Sequence, residues 1–95
     1  MFLLHRSVSP DDTLTLYLFY MSRMEYAERV LRVLRLLMQR RQTGVSLNEL
    51  MRTFDVSRRT IYRDIEALKR AEFILDSYRD ESGVRWILAQ DQTSN

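Results

Sequence analysis

The sequence predicts a small α+β domain of three helices followed by a β-hairpin, and three observations carry that expectation. Ser46 and Ser57 each head an apolar stripe with helical spacing. A longer helical stripe precedes them, between residues 24 and 42. After residue 71 the pattern turns from helical to β-prone, in two runs separated by a loop that contains Gly83. With 95 residues there is room for one domain with a modest core.

Residues 1–24 read as an N-terminal extension. The apolar start, residues 1–4, is too short for a signal-peptide core, and no small-residue cleavage site follows. Residues 13–20 (TLTLYLFY) alternate, with Leu14, Leu16 and Leu18 on one side and Thr13, Thr15, Tyr17 and Phe19 on the other. That is a strand period, and eight residues do not span a bilayer as a helix. Two readings compete: a strand that pairs with a partner chain, or a poorly ordered segment, with Met21 and Met24 as alternative starts. The domain proper is expected over residues 25–89, and residues 90–95 form a polar tail expected to fray.

From Met24 the period becomes helical. Tyr26, Val30, Val33 and Leu37 form a stripe widened by Ala27, Leu31, Leu34 and Met38, a core face about four turns long. Thr43-Gly44 ends this helix, and Val45 is a short extended link. Ser46-Leu47-Asn48-Glu49 reads as a capping box, in which Ser and Glu each satisfy an orphan amide. The short helix it opens places Leu47, Leu50, Met51 and Phe54 on one face. Asp55-Val56 makes a turn, and Ser57 caps a third helix over residues 58–71. Ile61, Ile65 and Leu68 share one side of that helix; Arg59, Tyr62, Arg63, Glu66 and Arg70 share the other. Residues 73–79 and 84–88 form a hairpin about a four-residue loop, Asp80-Glu81-Ser82-Gly83. Trp86 and Leu88 are expected to close the core. This order is that of a winged helix-turn-helix.

Composition narrows the chemistry. The net charge is only +2, but Lys69 is the one lysine and the other fourteen basic residues are Arg. Arg presents a planar fork suited to phosphate oxygens and guanine edges. Five of them (Arg29, Arg32, Arg35, Arg40 and Arg41) lie in an acid-free stretch, as do Arg58, Arg59 and Arg63 after Ser57. There is no cysteine, hence neither disulfide nor thiolate metal site, which suits a reducing cytoplasm. His5 is isolated. No glycine-rich phosphate loop, metal-ligand cluster or convergent acid/base set appears, so neither catalytic residues, metal nor cofactor is expected, and the chain is read as a non-enzyme.

The run Val56-Ser57-Arg58-Arg59-Thr60-Ile61-Tyr62-Arg63-Asp64-Ile65, followed by Leu68, resembles the signature of DeoR-like and WYL-type bacterial transcriptional regulators. Arg35-Leu36-Leu37 and the segment from Val45 to Leu50 resemble the first and second helices of the same domain. The resemblance covers about residues 26–89. It implies a prokaryotic or phage origin, a winged helix-turn-helix and sequence-specific DNA binding, with Arg58, Arg59, Thr60, Tyr62 and Arg63 where that family meets DNA. Two departures stand out. Such regulators usually continue into an effector-sensing domain, so no small-molecule effector is implied here. Their second wing strand tends to read Gly-Gly-Tyr then Leu, where this chain has Gly83-Val84-Arg85-Trp86-Ile87-Leu88.

A helix entering the major groove needs one side fixed to the body and one polar side free. The third helix meets that need, and its N-terminus adds free amides that favour phosphate. The expected DNA-binding set is Ser57, Arg58, Arg59, Thr60, Tyr62 and Arg63, with Arg79 and Arg85 from the wing because the wing tip, Asp80 and Glu81, is acidic. Tyr62 either contacts phosphate or packs. Asp64 is expected to pair with a neighbouring Arg, and Glu66 with Arg70. The function this predicts is a cytoplasmic transcriptional regulator of double-stranded DNA, not a membrane protein, acting as a homodimer or with a partner protein. Leu14, Leu16 and Leu18, or part of the first helix, are its candidate interfaces. The alternatives are an architectural or recombination accessory protein, such as a phage excisionase-like factor, and a winged helix used for protein contact.

Overall fold

The computed structural model describes residues 10–92. Six elements follow in order: α1 Pro10–Gln39, β1 Val45–Ser46, α2 Leu47–Phe54, α3 Arg58–Arg70, β2 Leu75–Asp80 and β3 Gly83–Leu88. Residues 1–9, with His5 and the apolar start, and residues 93–95 lie outside the described residues.

The expectation of a strand or disorder over residues 13–20 is overturned, because they are helical and continuous with the helix that follows. A lone strand leaves its backbone groups unpaired, whereas a helix satisfies them internally. Extending a helix that already exists also avoids the cost of a new nucleus. α1 begins at Pro10, a residue type whose fixed φ and missing N–H suit the first helical position.

Gly44 ends the excursion after α1. Its N–H donates to the Arg40 carbonyl at 2.7 Å with φ at +73°. A Cβ there would lie 2.7 Å from the Trp86 carbonyl oxygen, so β3 crosses too closely for any side chain. Ser46 caps α2 by accepting from the Glu49 N–H at 3.0 Å. The reciprocal half of the expected capping box is replaced. Glu49 takes a bidentate pair from Arg40, at 2.8 and 3.2 Å, a charge-assisted contact stronger than one to a neutral amide.

Val45 is more than a link, since β1 pairs with β3 (Val45 opposite Trp86), giving an antiparallel sheet in the order β1-β3-β2. The hairpin is tighter than expected. Asp80 pairs with Gly83, leaving a two-residue loop, Glu81-Ser82. The Asp80 carboxylate accepts from the Ser82 N–H at 2.9 Å and hydroxyl at 2.7 Å, closing the turn. The tail is pinned as far as Gln92, whose amide bonds both backbone groups of Ile74 and the Ala89 carbonyl.

The core is built by Val33 and Leu37 of α1, Val45, Leu47 and Leu50, Ile61, Ile65 and Leu68 of α3, and Leu75, Trp86 and Leu88 of the wing. Burying such side chains stabilises by about 1.5–3 kcal/mol each. The core stripe expected on α1 is too broad. Leu31 and Met38 are 63% and 50% exposed, and Tyr26 is also exposed. Only the C-terminal part of α1 rests on the body, and its N-terminal part projects from it.

Candidate nucleic-acid interface

α3 is held on three sides. Ile61, Ile65 and Leu68 fasten its inner face to the core. On one flank Tyr62 meets Trp86 edge-on, with ring centroids 6.1 Å apart, and Lys69 lies 5.0 Å over the same indole. On the other flank the fully buried Asp64 accepts two hydrogen bonds from Arg29 of α1, from Nε at 2.7 Å and Nη2 at 2.9 Å. Asp64 does pair with an arginine, but one 35 residues away rather than adjacent. Bonding to that carboxylate raises the Arg29 pKa despite the opposing effect of burial. The pair sets the rotation of α3 about its own axis, and so decides which residues face outward.

What faces outward is basic at its start. Arg58, Arg59 and Arg63 are exposed, and none is in an ion pair among the described residues. The first turn of α3 carries no acid. Ser57 accepts from the Thr60 N–H at 3.2 Å and donates to the Thr60 hydroxyl at 3.1 Å, so both side chains shape the helix end. Tyr62 keeps 36% of its surface exposed while its ring packs on Trp86. Glu66 approaches Lys69 at 3.8 Å, in place of the expected Arg70.

Two hollows flank this surface. An open one of about 550 Å³ runs along α3, lined by Tyr26, Arg59, Tyr62, Arg63, Glu66 and Arg70. A smaller, polar one of about 160 Å³ lies where the starts of α2 and α3 meet the wing, and brings Arg58 and Arg79 together with Asn48 and Ser82. Tyr26, Asn48 and Arg70 were absent from the expected site. Arg70 shares the outward face of α3 in the helical pattern. Asn48 is hidden in sequence inside a capping motif, and Tyr26 inside a core stripe.

Arg85, expected in the wing's share of the site, makes three hydrogen bonds within the fold. Its Nε donates to Asp80 at 2.8 Å, and its Nη1 donates to the Thr43 and Gly44 carbonyls at 3.2 Å. The first bond is internal to the wing, and the other two tie the wing to the end of α1. Arg79, by contrast, is exposed and lines the smaller hollow together with Arg58.

Residues 29–85 match the family model described as HTH domain. The chain belongs to the HTH domain family. No curated protein and no solved structure gives a significant match. The match begins at Arg29, the partner of Asp64, and closes at Arg85 within the wing. An HTH domain is a DNA-binding unit for double-stranded DNA, and the family is not an enzymatic one. Three helices with a three-stranded antiparallel sheet make this HTH domain a winged one. Among the described residues no group of His, Cys, Asp and Glu could hold a metal ion, and no helix is long and apolar enough to cross a membrane.

Proposed function

We propose that this HTH domain is a sequence-specific transcriptional regulator of the DeoR-like and WYL-type kind, working in a prokaryotic cytoplasm as a homodimer with α3 in the major groove. The observation that carries the reading is the outward start of α3: three arginines without ion-pair partners among the described residues, on a helix whose other side is locked into the core. Arg59 and Arg63, one turn apart, take the base edges. Arg58 and Arg79 are matched to one phosphate at the mouth of the smaller hollow, with Ser57, Thr60 and Tyr62 shaping the surface between them. Phosphate neutralisation supplies affinity and the base contacts supply specificity. Arg85 is left out of the contact set, because its Nε and Nη1 already donate within the fold.

The test is selection of binding sites from random duplex DNA, followed by titration of variants on the enriched sequence. Arg59→Ala and Arg63→Ala should each weaken binding by about 1–3 kcal/mol and relax preference at the base they read. Arg79→Ala should weaken binding evenly across sequences. Failure to enrich any sequence, or wild-type affinity in folded Arg59→Ala and Arg63→Ala proteins, would overturn the proposal.

A further inference from the structure

The projecting part of α1 lies largely outside the HTH family match, which starts at Arg29. The body uses the face of α1 that carries Val33 and Leu37. On a different face, Tyr17, Tyr20, Met24, Ala27, Leu31, Leu34 and Met38 succeed one another at alternating intervals of four and three once the count begins at Tyr20. That is the spacing of a and d positions in a coiled coil. Leu34 is half covered by the core, whereas Tyr17, Tyr20, Met24 and Leu31 are 61%, 66%, 65% and 63% exposed. A continuous apolar stripe of this length is unlike the scattered exposed residues of an ordinary monomer surface.

We infer that this stripe is a parallel, in-register two-stranded coiled-coil seam joining two copies of the chain. The inference deepens the homodimer of the proposed function and rests on that part of it. Two further observations name the occupant and its direction. A hollow of about 310 Å³ on the stripe is lined by Met24, Ala27, Glu28 and Leu31. With Met24 at a, these are a, d, e and the next a, the four positions that enclose a d-position knob in a parallel pair. The knob arriving there in register is Ala27 of the second copy. Beside the seam, Arg23 stands at g and Glu28 at the following e. Parallel helices set each g against the e of the next heptad across the seam, giving two symmetric Arg23–Glu28 ion pairs. In an antiparallel pair g meets g and e meets e, so the two would never meet.

Within one chain Arg23 lies 4.8 Å over the Phe19 ring, and Glu28 is 3.7 Å from Arg32. Both contacts are on the surface, where such pairs contribute little, and both can be exchanged for the contact across the seam. A parallel seam also puts both winged domains at the same end of the dimer, related by a two-fold axis, the arrangement that reads a palindromic site.

The test uses the full chain. Sedimentation at micromolar concentration should give twice the monomer mass. Met24→Glu and Leu31→Glu, at exposed positions, should halve that mass while leaving the circular-dichroism melting curve of the body in place. Arg23→Glu and Glu28→Arg should each weaken the dimer by about tenfold, and the double exchange should restore it. Since the chain has no cysteine, Ala27→Cys should form an intermolecular disulfide under mild oxidation, because d faces d only in a parallel pair. A monomeric wild type, a dimer untouched by Leu31→Glu, or a dimer that Ala27→Cys does not cross-link would overturn the inference. Failure of the DNA reading is separable. It would appear as lost sequence selection in a protein that still dimerises, whereas a broken seam leaves the half-site contacts of Arg59 and Arg63 measurable.

Discussion

Asp64 is the most deeply placed charge among the described residues, and the direction of every outward side chain on α3 depends on it. Its two bonds from Arg29 are the side-chain tie that fixes the outer flank of α3 to α1. Asp64→Asn keeps the size but removes the charge, leaving a guanidinium facing an amide in a half-buried site. Breaking such a pair should cost about 3 kcal/mol, read as a lower urea midpoint with an unchanged slope. An unchanged midpoint would mean that α3 is held by its apolar face alone. The sequence showed that Asp64 sits between the two sides of its helix but not its partner, since Arg29 is 35 residues distant. The bonds that Arg85 makes within the fold were hidden for the same reason. Its carbonyl partners at Thr43 and Gly44 come near only once β1 has paired with β3. Arg58, Arg59 and Arg63 were legible because exposure on a short helix follows from local spacing.

The elements differ in how locally they are determined. α2 and α3 were readable because their serine caps and apolar spacing lie within a few residues of each other. β1 was not, because two residues carry no period, and its pairing with β3 spans some forty positions. α1 was misread at its start because alternate leucines over residues 13–20 imitate a strand, while its d and a stripe shows only when the helix is followed through Met24. The end of α3 holds a local strain that can be tested. Glu72 has φ at +74°, and the chain closes there through Glu72 N–H to the Lys69 carbonyl at 2.8 Å and Phe73 N–H to the Leu68 carbonyl at 3.1 Å. This is the left-handed closing position that glycine fills best. Glu72→Gly relieves a penalty of about 1–2 kcal/mol and adds a smaller loss of chain entropy. The expected result is a stabilisation of about 0.5–1 kcal/mol, seen as a higher melting temperature. A lower one would show that the Glu72 side chain contributes something its backbone geometry does not reveal.

At the scale of the whole molecule, the body is laced by three ion pairs between segments that its small core alone would hold loosely: Arg29 with Asp64, Arg40 with Glu49, and Arg85 with Asp80. Two of these arginines reach the exit from α1: Arg40 joins it to α2 through Glu49, and Arg85, paired with Asp80 inside the wing, joins it to the wing through the Thr43 and Gly44 carbonyls. Bonds from Arg40 hold the Glu49 carboxyl below its ordinary value of 4.5. Bonds from the Ser82 hydroxyl and N–H, helped by Arg85, hold Asp80 below 3.8. A carboxyl whose folded pKa lies below its unfolded one contributes stability that is fully present above the unfolded value. That contribution is lost as pH falls through the folded value. The unfolding midpoint should therefore hold steady towards neutrality and drop below about pH 4.5 as both ties are protonated. Glu49→Gln removes one of the two titrations. It should be less stable than wild type at pH 7, yet lose less on acidification, so the two curves converge as the acid limit is approached. Parallel curves would show that the Arg40–Glu49 contact is a surface pair with no part in joining α1 to the helix-turn-helix.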